Sequence, residues 1–482
     1  MSLLLWLILT PLCIAVALPF FSRKPNLREA ITLIGGIYLF ILSLLLYLQF
    51  SSGVVPELVL AEPFEGLPLV LKPEPLGIGF SLLVSFLWPV TSLYAVGYMR
   101  GHNEQNQTRF YVFFALSIAI TQAIALSGNM LTLFLFYELL TLATFPLVTH
   151  TGTDKAKRAG RIYLGILMGT SILLLLLALI WSWQLTGNLD FQMGGIFDPE
   201  TDKTLLNILL VLFVLGTAKA ALMPFHRWLP NAMVAPVPVS ALLHAVAVVK
   251  AGVFTILKVS VYLFGLDIMG TLLSADLLAY LAGFTLVTAS VIALRLDNIK
   301  ARLAYSTIGQ LSYIVLGAML AVESGILGGS MHIFTHAFGK ITLFFCAGAI
   351  LLAIHKTCVS EMNGTGPQIP VTLTLYTIAA LSTIGLPPFA GMWSKWWLVQ
   401  GTVDAQMQIL TAALLISSLL NLVYLLEIPV RAFFFKSMVP VSGVHEAPTP
   451  SLIAASITAF ACLLLFLQPQ PLYNLLLPLA GG

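Results

Sequence analysis

The chain has 482 residues, of which 59% are hydrophobic and 9% charged, with a mean hydropathy of +0.97. A soluble domain carries about 25% charged residues, so the composition excludes a water-soluble globular protein and indicates a polytopic membrane protein. The net charge of +3 decides nothing until the charges are assigned to sides of the membrane.

The N-terminus, MSLLLWLILTPLCIAVALPFF, has neither a basic flank nor a small-residue cleavage site, and is read as a retained first helix. A bilayer core needs about 20 apolar residues per helix. Hydrophobic runs between polar or Gly/Pro breaks predict fourteen spans. They lie at about 2–21, 29–50, 76–99, 110–128, 130–149, 161–185, 204–229, 238–263, 275–294, 301–322, 327–353, 370–400, 407–430 and 451–475. The seventh and twelfth carry internal breaks. The expected class is therefore an all-α polytopic membrane protein. Cys13, Cys346, Cys358 and Cys462 are scattered and form no CxxC, so they give no basis for an iron–sulfur, haem or zinc site. No redox motif, nucleotide-binding loop or nucleic-acid patch is present, so no cofactor is expected.

Alternate loops differ in charge. One set holds Arg23, Lys24, Arg28, Arg100, Arg109, Lys155, Lys157, Arg158, Arg161, Arg227, Arg295, Lys300, Arg302, Lys356, Arg431 and Lys436. The other is acidic, with Glu57, Glu62, Glu65, Glu74, Asp190, Asp198, Asp267, Glu323 and Asp404 against Lys72 and Lys203. The positive-inside rule places the basic loops in the cytoplasm and both termini outside.

Removing the loop charges leaves Glu138, Lys219, Lys250, Lys258, Lys340, Lys395 and Glu427 at membrane depth, with His244, His332 and His336. An ionisable residue there is a candidate functional group. The alternative is a lysine near a helix end lifting its ammonium to the interface, and Lys258 is open to both readings. His244 is open to proton relay or to packing. His332, His336 and Lys340 recur at i, i+4 and i+8 on one helical face, which favours a hydrated path. Two histidines without a nearby carboxylate do not make a metal site. Tyr305 and Ser306, with the Arg295–Arg302 region before them, read as a helix-entry cap and cytoplasmic anchor.

The stretch Lys219 to Lys250, KAALMPFHRWLPNAMVAPVPVSALLHAVAVVK, concentrates these residues with four prolines. A shift of 176 residues carries Lys219 onto Lys395 and Lys250 to the neighbour of Glu427. Pro224 breaks one span and Pro387 with Pro388 the other, since proline removes a donor and clashes with the preceding turn. Paired broken spans mark the ion path of repeat-built transporters. Two inverted five-helix units are expected, at 110–263 and 264–435, after an N-terminal segment 1–109 and before a last helix in 436–482.

HRWLPNAMVAPVPVSALLHAVAVVKAG, with GTAKAALMPF before it, resembles the signature of a family of antiporter-like membrane subunits. The family comprises subunits of respiratory complex I, of Mrp-type cation/proton antiporters and of energy-converting membrane hydrogenases. FYELLTLATFPLV, DNIKARLAYSTIGQLSYI, HIFTHAFGKITLFFCAGAI and GLPPFAGMWSKWWL extend the resemblance over roughly 75–435. It implies that Glu138 partners Lys219, that Lys250 is the central lysine, and that Lys395 ends the row. The resemblance further implies that His332 and His336 bridge them in a hydrated axis that would hand protons along the membrane plane. Opposite charges ~4 Å apart at an effective dielectric near 20 interact by about 4 kcal/mol. Glu138 beside Lys219 would therefore hold that lysine charged, and separation would free its proton. Lysine at 395 and the chain end soon after the last span favour a D-type Mrp subunit or a hydrogenase relative. The N-type subunit of complex I is the alternative, and a stand-alone solute transporter ranks below both. Other integral membrane subunits are the implied partners, in a bacterial or archaeal plasma membrane. Sodium is left to the complex, because no cluster of oxygen ligands appears here.

Overall fold

The computed structural model describes residues 2–436 and 443–481, with the side chain of His244 outside the described set. Each expected span has a helical counterpart: α1 (Leu3–Phe21), α2 (Pro25–Ser51), α3 (Pro75–Gly101), α4 (Gln107–Ala125), α5 (Met130–Val148) and α6 (Asp154–Thr186). The series continues with α7 in two pieces (Lys203–Gly216 and Trp228–Asn231), α8 (237–264), α9 (Leu273–Arg295) and α10 (Ile299–Met319). It ends with α11 (Glu323–Ile354), α12 in two pieces (Pro370–Ile384 and Gly391–Asp404), α13 (Gln408–Phe434) and α14 (Thr449–Leu467). Ten helices among the described residues are long and apolar enough to cross a membrane.

Polar residues at the loop edges set the helix starts. Glu74 accepts from the backbone N–H of Leu76 and Gly77 at 2.9 and 2.8 Å, and Asn129 and Asn298 cap α5 and α10 in the same way. Inside the bundle α11 is buried for most of its length, against α10, the second half of α12, and α14. α2 and α13 instead turn rows of exposed leucine and isoleucine outward, among them Ile34, Ile41, Leu415 and Leu419. Such faces suit lipid or a neighbouring membrane subunit.

Three features depart from the expectation. The loop after α2 folds into an antiparallel hairpin of β1 (Leu58–Phe64) and β2 (Leu67–Leu71). We call its side of the molecule the hairpin face, and the opposite side the basic face. α8 is not a plain helix: π turns occupy Leu242–Val246 and Val259–Phe264, one on each side of the Val248–Lys258 segment. Finally, Glu427 is not a lone carboxylate within the bundle. Its carboxylate pairs with Arg302 and Arg431 at 2.7 and 2.8 Å, at the basic-face ends of α10 and α13. Arg302 is itself buried and donates to the carbonyls of Leu296 and Tyr424. Glu427 therefore ties helix ends together, which is what the two arginines, one per helix, require of a carboxylate between them.

Candidate functional site

Both breaks form where proline is expected to part the helix. In α7 the chain leaves helical geometry after Gly216, passes a 3-10 turn at Ala218–Ala220, and resumes at Trp228. In α12 it opens after Ile384 and resumes at Gly391. Pro224, Pro387 and Pro388 are exposed on the flank of the bundle, while Lys219 and Lys395 point inward and are buried. The two lysines lie on opposite sides of their breaks: Lys219 precedes Pro224, whereas Lys395 follows Pro388 inside the second half-helix. The shift of 176 residues that carries one lysine onto the other therefore does not superpose the two breaks.

Lys219 sits in the 3-10 turn. Its Nζ donates to the Tyr137 carbonyl at 2.7 Å and lies 3.2 Å from the centre of the Tyr137 ring. Glu138, the next residue on α5, is half-buried and faces Ser171 on the π turn of α6. It feels the charge of Lys219, but among the described residues the two make no ion pair within 4.0 Å. The direct pair expected from the sequence is replaced by a bond to the carbonyl one residue earlier.

Gly252 brings the next helix in. A Cβ there would run into the backbone nitrogen of Ala220 and the carbonyl carbon of Lys219, so the break in α7 rests directly on α8. Lys250, half a turn earlier, is fully buried with its Nζ 2.7 Å from Nδ1 of His336 on α11. Along α11 the row continues in both directions. Lys340 donates to Ser306 Oγ at 2.7 Å, and Ser306 also receives the Tyr424 hydroxyl at 2.9 Å. His332 stacks on His336 with centroids 5.9 Å apart; its nitrogens meet Ser394 Oγ at 2.8 Å and Gln310 Oε1 at 3.1 Å.

Ser394 hands the row to its neighbour Lys395, whose Nζ donates to the Ile384 carbonyl at 2.9 Å and Ser418 Oγ at 3.1 Å. Gly385 makes this reach possible. Its φ is +95°, and a Cβ would stand 2.7 Å from Lys395 Cδ. The amine thus returns to the last carbonyl of the first half-helix, a group the break leaves without an intrahelical donor. It borders a cavity of about 430 Å³ whose lining includes Tyr313, Leu415, Ser418 and Leu419.

The structure therefore brings Lys219, Lys250, His336, Lys340, His332 and Lys395 into one interior row spanning α5 to α13, with Glu138 at its start. Lys258 is buried as well and takes no part in that row; its ammonium pairs with Glu74 at 3.3 Å, so it does not snorkel. Tyr137, Gln310 and Ser394 join the row without having been singled out by sequence reasoning, and Ser306 joins it from a different expected role. Ser306 and Gln310 are spaced i, i+4 on α10, and that spacing is a usable signal. Ser306 is not the helix-entry cap that its position suggests; Asn298 fills that role. Among the described residues no group of three or more His, Cys, Asp or Glu side chains forms a metal site.

Residues 127–421 match the family described as NADH:quinone oxidoreductase/Mrp antiporter, TM. The chain is 30% identical over 390 residues to NADH-quinone oxidoreductase subunit N of Desulforudis audaxviator, covering 80% of this chain and 76% of that one. It is 29% identical over 433 residues to a Na(+)/H(+) antiporter subunit of Alkalihalophilus pseudofirmus, covering 82% and 51%. The chain spans about half the length of that relative and of the chloroplast NAD(P)H-quinone oxidoreductase subunit 5 of Zygnema circumcarinatum. Among solved structures, a chain of the archaeal membrane-bound sulfane sulfur reductase superposes with a TM-score of 0.87 at 23% identity. A chain of the Mrp complex from Dietzia sp. DQ12-45-1b gives 0.87 at 19%; each match covers 100% of this chain and 97% of the other. At these identities the likeness is one of fold. With more than half its length matched and a 30% identical relative covered over three quarters of that relative's length, this polytopic helical membrane protein belongs to the NADH:quinone oxidoreductase/Mrp antiporter transmembrane family.

Proposed function

We propose that the chain is a proton-translocating, antiporter-like subunit of a multisubunit membrane complex, with the row from Glu138 to Lys395 as its path. One observation carries this reading. Lys219, Lys250, Lys340 and Lys395 are all buried, and their hydrogen-bond partners are a carbonyl, an imidazole, a hydroxyl, and a carbonyl with a hydroxyl. A buried charge without a counter-charge is poor construction. Amines beside neutral acceptors and donors are suited instead to taking and passing protons. Lys219 on the Tyr137 carbonyl, with Glu138 nearby but unpaired to it, corresponds to the parted arrangement of the Glu138–Lys219 switch.

Within the family, lysine at 395 favours a D-type Mrp subunit or a hydrogenase-like relative. The N-type subunit of complex I is the second reading, favoured by the 30% identity that extends over 76% of such a subunit. The positive-inside rule puts the basic face in the cytoplasm and the termini outside a bacterial or archaeal plasma membrane. Neighbouring integral membrane subunits cover part of the apolar flank, and any sodium transport belongs to the complex.

Affinity purification through a tag on this chain separates an antiporter from the redox-linked complexes. Small hydrophobic subunits alone indicate an antiporter, and co-purifying redox subunits indicate a respiratory or hydrogenase complex. In proteoliposomes carrying that complex, Lys395→Ala is expected to lower proton movement by about 100-fold, followed with a pH-sensitive dye. Unchanged proton movement would remove Lys395 from the path.

A further inference from the structure

Lys258 is the one buried lysine among the described residues that forms an ion pair. It lies on the same helix as Lys250, eight residues toward the hairpin face, a rise of about 12 Å at 1.5 Å per residue. Its Nζ pairs with Glu74 Oε1 at 3.3 Å, donates to the Ser127 carbonyl at 2.8 Å, and stands 3.9 Å from the centre of the Phe191 ring. Glu74 accepts a further bond from the Tyr262 hydroxyl at 2.7 Å, besides the two backbone N–H groups it caps.

Three observations distinguish this cluster from a simple brace. Glu74, Ser127 and Tyr262 line a cavity of about 360 Å³ that opens between the exposed Lys72 and Met193 on the hairpin face. The ammonium is thus closed off from solvent, while the carboxylate it touches borders an opening. Ser127 lies in the short unwound link between α4 and α5, where its carbonyl is outside any helical ladder. The helix changes to a π turn directly after Lys258, at Val259–Phe264, and such turns recur at functional positions in helices.

We infer that Lys258 and Glu74 form a proton-release site at the hairpin face, connecting the interior row at Lys250 to the aqueous phase through the cavity beside Tyr262. This rests on the proton-path reading above. In the release step the Lys258 ammonium gives a proton to the Glu74 carboxylate, leaving a neutral amine and a carboxylic acid. The acid then loses the same proton to water in the cavity, and the amine is reloaded from the Lys250 side. Thr255, buried between the two lysines on α8, supplies one hydroxyl along the interval. Tyr262 and the capped backbone N–H groups hold the carboxylate in place through the exchange.

The test separates relay from brace. Arginine keeps its charge at every working pH, so Lys258→Arg preserves an ion pair with Glu74 but cannot give up a proton. Glu74→Gln keeps an acceptor for the cap but cannot carry the proton. Each variant is purified with its partner subunits, reconstituted in proteoliposomes, and compared with Lys219→Ala prepared in parallel. The expected result is normal assembly with at least a roughly 10-fold loss of proton movement in both variants. Wild-type proton movement in either assembled variant, beside a loss in Lys219→Ala, overturns the release site while leaving the interior row intact. Failure of both to assemble makes the pair a brace and overturns it as well. Unimpaired movement in Lys219→Ala instead removes the underlying proton-path reading.

Discussion

Lys219→Ala is expected to abolish proton-linked transport, by about 100-fold or more, while the chain still assembles with its partners. The geometry accounts for both halves of this expectation. Among the described residues the Lys219 Nζ has one hydrogen-bond partner, the Tyr137 carbonyl, in the middle of α5. Removing the amine breaks no ion pair within 4.0 Å, although it takes from Glu138 the positive charge it faces, and the Tyr137 carbonyl keeps its place in the helical ladder. What disappears is the amine between Glu138 and Lys250 that the proposed path requires. Lys219→Arg sharpens the result, because a guanidinium retains the charge without exchanging its proton. It too is expected to be inactive. Proton uptake by proteoliposomes measures activity, and co-purification of the partner subunits measures assembly.

Gly252→Val is expected to have the largest structural effect. At this position α8 touches the backbone of Lys219 and Ala220, so the obstacle is main chain and cannot rotate away. Overpacking a tight interior costs about 1–3 kcal/mol, and more where no side chain can yield. Valine would push α8 off the break and part Lys250 from His336, whose contact is 2.7 Å. Two measurements should move together: a lower melting temperature in detergent, and transport lost beyond what the remaining folded fraction explains. Unaltered melting and transport would show that α7 and α8 do not bear on one another here.

The spans and breaks were legible because lipid leaves a strong trace in sequence. About twenty apolar residues are needed to cross, a proline must interrupt, and each lysine at depth stands out. The hairpin after α2 was not legible, since two runs of five to seven residues between long helices read as a loop. Nor was the pairing of Glu427, which depends on Arg302 approaching from a helix 125 positions away in the chain. The neutral partners of the lysines were hidden for another reason. Serine and threonine in helices often bond their own preceding turn, as Thr255 and Ser312 do. Ser306 instead serves Lys340, and Ser394 serves His332 besides donating to the Gly391 carbonyl at 3.2 Å. Nothing in the residue type tells these uses apart; the packing of neighbouring helices does.

The cavity beside Lys395 has a sideways mouth. Exposed Trp396, Leu415 and Leu419 rim it on the apolar flank, although the lysine behind them is buried. A greasy amine-reactive label dissolved in the bilayer could therefore approach this lysine laterally, where a water-borne reagent could not. In the isolated chain Lys395 should acquire such a label, found by mass spectrometry of its peptide. If a neighbouring subunit seats against this flank, the assembled complex should protect it, so one side chain would report whether the chain stands alone or has been docked.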